Sequence, residues 1–181
     1  ANNGGASASD VCSGVTWTND STGLSDDCGA TGTETVTFTA TDACGNFTTT
    51  TATFTIEDTA NPTMDVAASD STVECDGTSD PSGAFAAWLA NNGGASASDV
   101  CSGVTWTNDS TGLSDDCGAT GTETVTFTAT DACGNFTTTT ATFTIEDTAN
   151  PTMDVAASDS TVECDGTSDP SGAFAAWLAN N

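Results

Sequence analysis

Between Thr122 and Asp131 the chain reads TETVTFTATD, with apolar residues on every second position. Val125, Phe127 and Ala129 share one side, and threonines fill the other. This alternation predicts a half-buried β-strand. Phe136 to Asp147 repeats the pattern, with Ala141, Phe143 and Ile145 facing the same interior. The turn-forming run Asp131-Ala132-Cys133-Gly134-Asn135 between them makes the two a hairpin. Val104 to Thr107, Met64 to Ala68 and Thr72 to Cys75 predict shorter strands. One segment departs from period two. Asp80-Pro81 supplies an N-cap followed by proline at the first helical position, and Phe85, Trp88 and Leu89 recur at helical spacing. A short helix is expected there, closing one end of a sandwich.

The pattern occurs twice. Ala1 to Leu89 returns residue for residue as Ala90 to Leu178, and Ala179-Asn180-Asn181 opens a third copy. A period of 89 residues exceeds that of the usual solenoid repeats and suits one small domain per repeat. Asn61-Pro62 and Asn150-Pro151 follow a strand and an acidic turn, where a linker belongs. The expected division is therefore 1–61, the C-terminal part of a preceding repeat; 62–150, one complete repeat; and 151–181, the N-terminal part of the next. A window on a longer array explains this phase. Strand donation between subunits is the alternative, and the three-residue overlap favours the window. The fold class predicted is all-β: tandem immunoglobulin-like β-sandwiches with one short helix per repeat.

Charge narrows the chemistry. The 181 residues hold 26 acids and no Lys, Arg or His, a formal charge of −26. Such a chain has no footprint for nucleic acid or an anionic membrane, and no run of apolar residues long enough for membrane insertion. Most phosphate, acyl-transfer and cofactor chemistry lacks its residues here, so no enzymatic role is expected. Asp115-Asp116 is the one adjacent aspartate pair of the complete repeat, and nothing around it marks the cleft that a glycosidase needs. Self-repulsion of this size calls for bound counter-cations.

Eight cysteines without histidine indicate disulfides and an oxidising, extracellular compartment. The complete repeat holds Cys75, Cys101, Cys117 and Cys133, for which three connectivities are open. Cys101 and Cys133 both follow Asp in loops placed at the pole nearest the preceding repeat; Cys75 and Cys117 are placed at the opposite pole. The expected bridges are therefore Cys101–Cys133, with Cys12–Cys44 as its counterpart, and Cys75–Cys117.

The string TVTFTATDACGNFTTTTATFTIEDTANP resembles the last two strands of hyalin-repeat (HYR-like) immunoglobulin-fold modules, and VEC, SDVCSG and TDACGN resemble that family's cysteine-bearing loops. Near-identical acidic arrays of this kind resemble the stalks of giant surface adhesins of Bacteroidota. The resemblance spans the 89-residue unit, except for the WLANNGG helix segment. It implies a structural cell-surface role without catalysis.

The linker Ile56-Glu57-Asp58-Thr59-Ala60-Asn61-Pro62 also resembles the acidic, proline-terminated linkers of cadherins. Glu57, Asp58 and Asn61, joined by Asp99 and Asp131 of the following repeat and by Asp26 and Asp27 of the preceding one, form an oxygen-only ligand set suited to Ca²⁺. Glu146, Asp147 and Asn150 are the same residues one repeat later. A second, weaker calcium candidate is the loop Glu74 to Asp80. Expected partners are the neighbouring identical repeats, head to tail, with lateral self-association into fibres as a further candidate. Glycans are another, at Asp-Ser/Thr positions such as Asp58-Thr59-Ala60 and at sequons such as Asn46-Phe47-Thr48.

The reading is a calcium-stiffened extracellular spacer, in which strands of about ten residues at about 3.3 Å each give a rise of about 35–40 Å per repeat. The alternative is a carbohydrate- or ice-binding module that uses the threonine faces.

Overall fold

The computed structural model describes residues 2–179, so Ala1, Asn180 and Asn181, which carry part of the third-copy overlap, lie outside the described residues. The chain forms two compact units, Ala1–Asp147 and Thr148–Asn181.

Within the first unit, residues 62–147 are all-β with one short helix. Strands β4 (Thr63–Val66) and β6 (Ser96–Ser98) pair as an antiparallel ribbon. Strands β5 (Ser71–Glu74), β7 (Thr105–Asn108), β8 (Gly121–Thr130) and β9 (Phe136–Glu146) form a four-stranded sheet in the order β5-β9-β8-β7. β7, β8 and β9 run antiparallel, whereas β5 lies parallel to β9 with Val73 opposite Ile145.

The period-two residues do what their spacing predicts. Val125, Phe127 and Ala129 of β8 and Ala141, Phe143 and Ile145 of β9 are buried. Helix α1 (Ala84–Ala90) covers them, with Phe85 5.3 Å from Phe143 and Trp88 edge-on to Phe127 at 5.2 Å between ring centroids. On the opposite face the threonines pair across strands, as in Thr124–Thr142 at 2.9 Å between hydroxyls. The sheet is thereby stabilised without charge.

The helix starts later than its sequence signal suggests. Pro81–Gly83 forms a 3-10 turn in which Ser82 and Gly83 take positive φ, and the α-helix begins at Ala84. Asp80 still caps it across the turn, its carboxylate accepting from the Phe85 N–H at 2.7 Å and the Ala86 N–H at 3.2 Å.

Residues 2–61 contribute β1 (Thr16–Asn19), β2 (Gly32–Thr41) and β3 (Phe47–Ile56), an antiparallel sheet with the same register as β7-β8-β9. The second unit carries α2 (Ala173–Ala179), capped by Asp169 as α1 is by Asp80.

Candidate inter-repeat site

Functional chemistry in so acidic a chain begins with where the carboxylates go. In the complete repeat most of them turn onto backbone N–H groups. Asp109 accepts from Thr126 at 2.7 Å and Asp70 from Thr142 at 2.8 Å, each tying a loop to a strand. Glu123 accepts from the N–H groups of Thr111 and Gly112 and from the Ser110 hydroxyl. Partial burial works to raise the Glu123 carboxyl, but these hydrogen bonds outweigh it and hold it below the usual carboxylate range. Asp76 binds Thr78 through its N–H and hydroxyl, and Asp80 is committed to its cap, so the loop of the second calcium candidate holds its acids in local bonds.

The remaining chemistry collects where β3 runs into the complete repeat. Asp58 follows the end of β3, Asp99 follows β6, and Asp131 to Asn135 form the β8–β9 hairpin loop. The Asn135 side-chain amide donates to the Asp58 carbonyl at 3.2 Å and to the Asp131 carboxylate at 2.9 Å. From the preceding sheet the loop before β2 brings Cys28 into a disulfide with Cys133, and the Ala30 N–H donates to the Cys101 carbonyl at 2.9 Å. Gly29, between them, has φ +62 and approaches so closely that a Cβ would meet the Cys101 carbonyl oxygen at 2.5 Å.

The bridge departs from the expected pairing. Cys133 bonds Cys28 instead of Cys101, and Cys12, Cys44, Cys75, Cys101 and Cys117 keep free thiols. The hairpin loop carrying Cys133 meets the loop of the preceding sheet, which puts the Cα atoms of Cys28 and Cys133 5.1 Å apart. Cys101 lies beside this contact, but its Sγ faces Asp58 and Asp99. Cys75 packs against the Phe85–Phe143–Ile145 cluster, whereas Cys117 is exposed, so the Cys75–Cys117 bridge does not form. Cys12 and Cys44 are likewise both exposed thiols, not a Cys12–Cys44 bridge.

Asp58, Asp99 and Cys101, all half-buried, offer ligand atoms within 4.8 Å of one another. The two oxygens of Asp58 differ. Oδ1 accepts from the Ala60 N–H at 3.1 Å, whereas Oδ2 is buried without a hydrogen-bond partner. Asp99 Oδ2 accepts from the N–H groups of Cys101 and Ser102 at 2.8 and 2.9 Å. The Cys101 thiol is pushed up by partial burial and then by the charges of Asp58, Asp99 and Asp131, so it stays protonated at neutral pH. Asp131 is buried and committed: burial works to raise it, and bonds from the Asn135 side chain and the N–H groups of Asn135 and Cys133 prevail and hold it low.

The structure thus brings together part of the expected oxygen set, Asp58 with Asp99 and Asp131 close by. It leaves Glu57, Asn61, Asp26 and Asp27 exposed and outside the cluster. Glu146, Asp147 and Asn150 are exposed as well. An orphaned carboxylate oxygen beside a second carboxylate fits a hard cation; a protonated thiol adds nothing to it. Cys101 is the member that the sequence pattern does not supply, since that pattern pairs it with Cys133.

No protein-family model and no curated protein matches the sequence. Among solved structures the chain is similar to Drosophila N-cadherin EC1-4, at 13% identity and a TM-score of 0.31, over 75% of this chain and 42% of that one. It is also similar to the protocadherin GammaB4 extracellular domain, at 14% identity and a TM-score of 0.28, over 62% of this chain and 20% of that one. The chain spans less than half the length of either. No helix among the described residues is long and apolar enough to cross a membrane.

Proposed function

We propose that the chain is an extracellular spacer: HYR-like immunoglobulin-type repeats of a bacterial surface adhesin, each fixed to the next by a disulfide and by calcium. The observation that carries the reading is the Cys28–Cys133 bond, because it joins one repeat to the next instead of stapling a repeat to itself. A covalent inter-repeat link serves a protein whose task is to hold its length, and it requires an oxidising compartment. Identical repeats suit the same task, since every bead of a spacer does the same work.

Calcium is the second half of the reading. The fully buried, unpartnered Oδ2 of Asp58 supports it, with Asp99 as the facing carboxylate and Asp131 close enough to add its field. Bound there, the ion would supply positive charge to a cluster with no cationic side chain and so hold β3 against the next repeat's loops. Asp58 and Asp99 would hold the ion. Asn135, through the Asp58 carbonyl, keeps the linker seated whether or not a cation is present.

Thermal unfolding of the 181-residue chain with calcium and with EGTA tests this. Calcium at about 100 times its dissociation constant should stabilise the chain by about 2.7 kcal/mol. The Asp58→Asn, Asp99→Asn double variant should lose that response while keeping the disulfide. Equal melting of the native chain in both buffers would remove calcium from the proposal and leave the disulfide as the sole lock.

A further inference from the structure

Three cysteines meet where β3 runs into the complete repeat, and a single S–S bond leaves one of them over. Cys28 is bonded to Cys133, while Cys101 keeps a free thiol beside them. Both flanks of Cys101 are pinned. Its carbonyl accepts from the Ala30 N–H at 2.9 Å, two residues from Cys28. The hydroxyl of its neighbour Ser102 accepts from the Ala132 N–H at 3.0 Å, next to Cys133. This second pin belongs to the repeat itself, because Thr105 opposite Thr130 brings both loops off the same end of the sheet. The preceding sheet repeats it: the Ser13 hydroxyl accepts from the Ala43 N–H at 3.2 Å, beside a Cys44 that bonds no other cysteine.

We propose that Cys133 is the pivot of a two-position thiol–disulfide switch. Cys28 holds it in one position and locks the repeats together; Cys101 holds it in the other and closes the repeat on itself. The switch rests on the Cys28–Cys133 lock of the spacer reading and adds the means of undoing it. In the locked position the Cys101 Sγ lies beside Asp58 and Asp99, so the second position takes a new rotamer of that side chain.

The loop of Cys28 is ready for release. The Thr31 hydroxyl stands 3.2 Å from the Cys28 sulfur and gives its own proton to the Cys28 carbonyl at 2.7 Å. Its oxygen therefore faces the sulfur as an acceptor, which a freed S–H can use. Cys117, at the same position one repeat later, shows that free form. Its thiol lies 3.4 Å from the Thr120 hydroxyl, which donates to the Cys117 carbonyl at 2.8 Å. The loop thus keeps its bonds with or without the disulfide.

Reduced glutathione serves as catalyst. Its sulfur takes Cys133 as a mixed disulfide while Cys28 leaves as a thiol; Cys101 then takes Cys133 and glutathione leaves. One S–S bond breaks, one forms, and the Cys101 proton is replaced by one on Cys28. No oxidant is consumed.

Identical repeats give identical peptides, so the test uses the full chain with Cys12→Ser, Cys44→Ser and Cys117→Ser, all at exposed positions. The chain is equilibrated in a glutathione redox buffer, acid-quenched, alkylated and mapped. Cys28–Cys133 and Cys101–Cys133 peptides should both appear, in the same ratio from the reduced and from the oxidised start. Adding Cys28→Ser should move the bond to Cys101–Cys133, and adding Cys101→Ser should leave only Cys28–Cys133. Adding Gly29→Ala, whose Cβ meets the Cys101 carbonyl oxygen, should raise the share of Cys101–Cys133 about tenfold. The switch is overturned if Cys28→Ser leaves Cys101 and Cys133 both free, if Gly29→Ala does not move the ratio, or if Cys28–Cys133 alone forms from both starts. Each of those results leaves the inter-repeat lock standing. Cys101–Cys133 alone from both starts would remove the lock and the switch together.

Discussion

Cys28 and Cys133 are bonded across 105 positions although they occupy different places in the repeated unit, since Cys133 is the counterpart of Cys44. A bond between unlike positions of successive repeats propagates. If each repeat of a longer row offered one position forwards and the other backwards, the row would be covalently continuous twice over, through peptide and through sulfur.

Peptide mapping of the non-reduced chain should find the Cys28–Cys133 cross-link. Cys133→Ser should cost about 2–4 kcal/mol in urea unfolding, the usual worth of a native disulfide. Cys101→Ser should leave the cross-link intact. A Cys101–Cys133 peptide in its place would mean that the repeat is stapled to itself.

Phe143→Ala should destabilise the monomer by about 3–5 kcal/mol, because it empties a fully packed site between α1 and the sheet. The identical change at Phe54 should cost no more than about 0.5 kcal/mol in dilute, reduced protein, because that ring is already in water. Chemical unfolding of both variants measures the contrast, and equal costs would show that β3 is covered in solution.

Gly29→Ala and Gly118→Ala share the left-handed backbone cost of about 1 kcal/mol. Only the first also meets a carbonyl oxygen, that of Cys101. Gly29→Ala should therefore lower the melting temperature more and slow formation of the Cys28–Cys133 bond, whereas Gly118→Ala should not alter that bond's rate of formation. Oxidative refolding followed by thiol trapping separates the two.

Asp131 and Glu123 are held below the ordinary carboxylate range in the folded chain. Groups of this kind add stability that is fully present above their unfolded value and is lost as pH falls through the folded one. Urea unfolding should therefore show their contribution unchanged from pH 7 to about 5 and declining below about 4. Asp131→Asn should be less stable at pH 7 and should decline less steeply in acid. Relief of general repulsion acts on both proteins alike, so their difference isolates the hairpin loop.

The strands were legible because their signal is local. Val125, Phe127 and Ala129 alternate with threonine, and nothing distant is needed to see which side is inside. The helix signal at Asp80-Pro81 was legible in kind but misplaced at its start, because the carboxylate caps across a 3-10 turn. The short strand Ser96–Ser98 is illegible in the sequence, since three small residues carry no period and exist as a strand only through pairing with β4. The disulfide was illegible for a different reason. Four cysteines per unit suggest closure within the unit, and only the approach of the preceding sheet reveals a partner one repeat away. The same blindness affected the acids: sequence shows their number, whereas their use as acceptors for backbone N–H groups depends on loop shape, as at Asp109 and Glu123.

The parallel pairing of β5 with β9 sets how tension would pass through a repeat. Tension reaching β5 from its N-terminal side and leaving β9 at its C-terminal side pulls the two strands from opposite ends of their shared ladder, Ser71–Glu74 against Phe143–Glu146. The ladder is then sheared as a block, all its hydrogen bonds strained together, whereas a hairpin pulled from its open end yields one bond at a time. Under such a load, four residues placed side by side in the same direction would act as a mechanical clamp, strained before the core is touched.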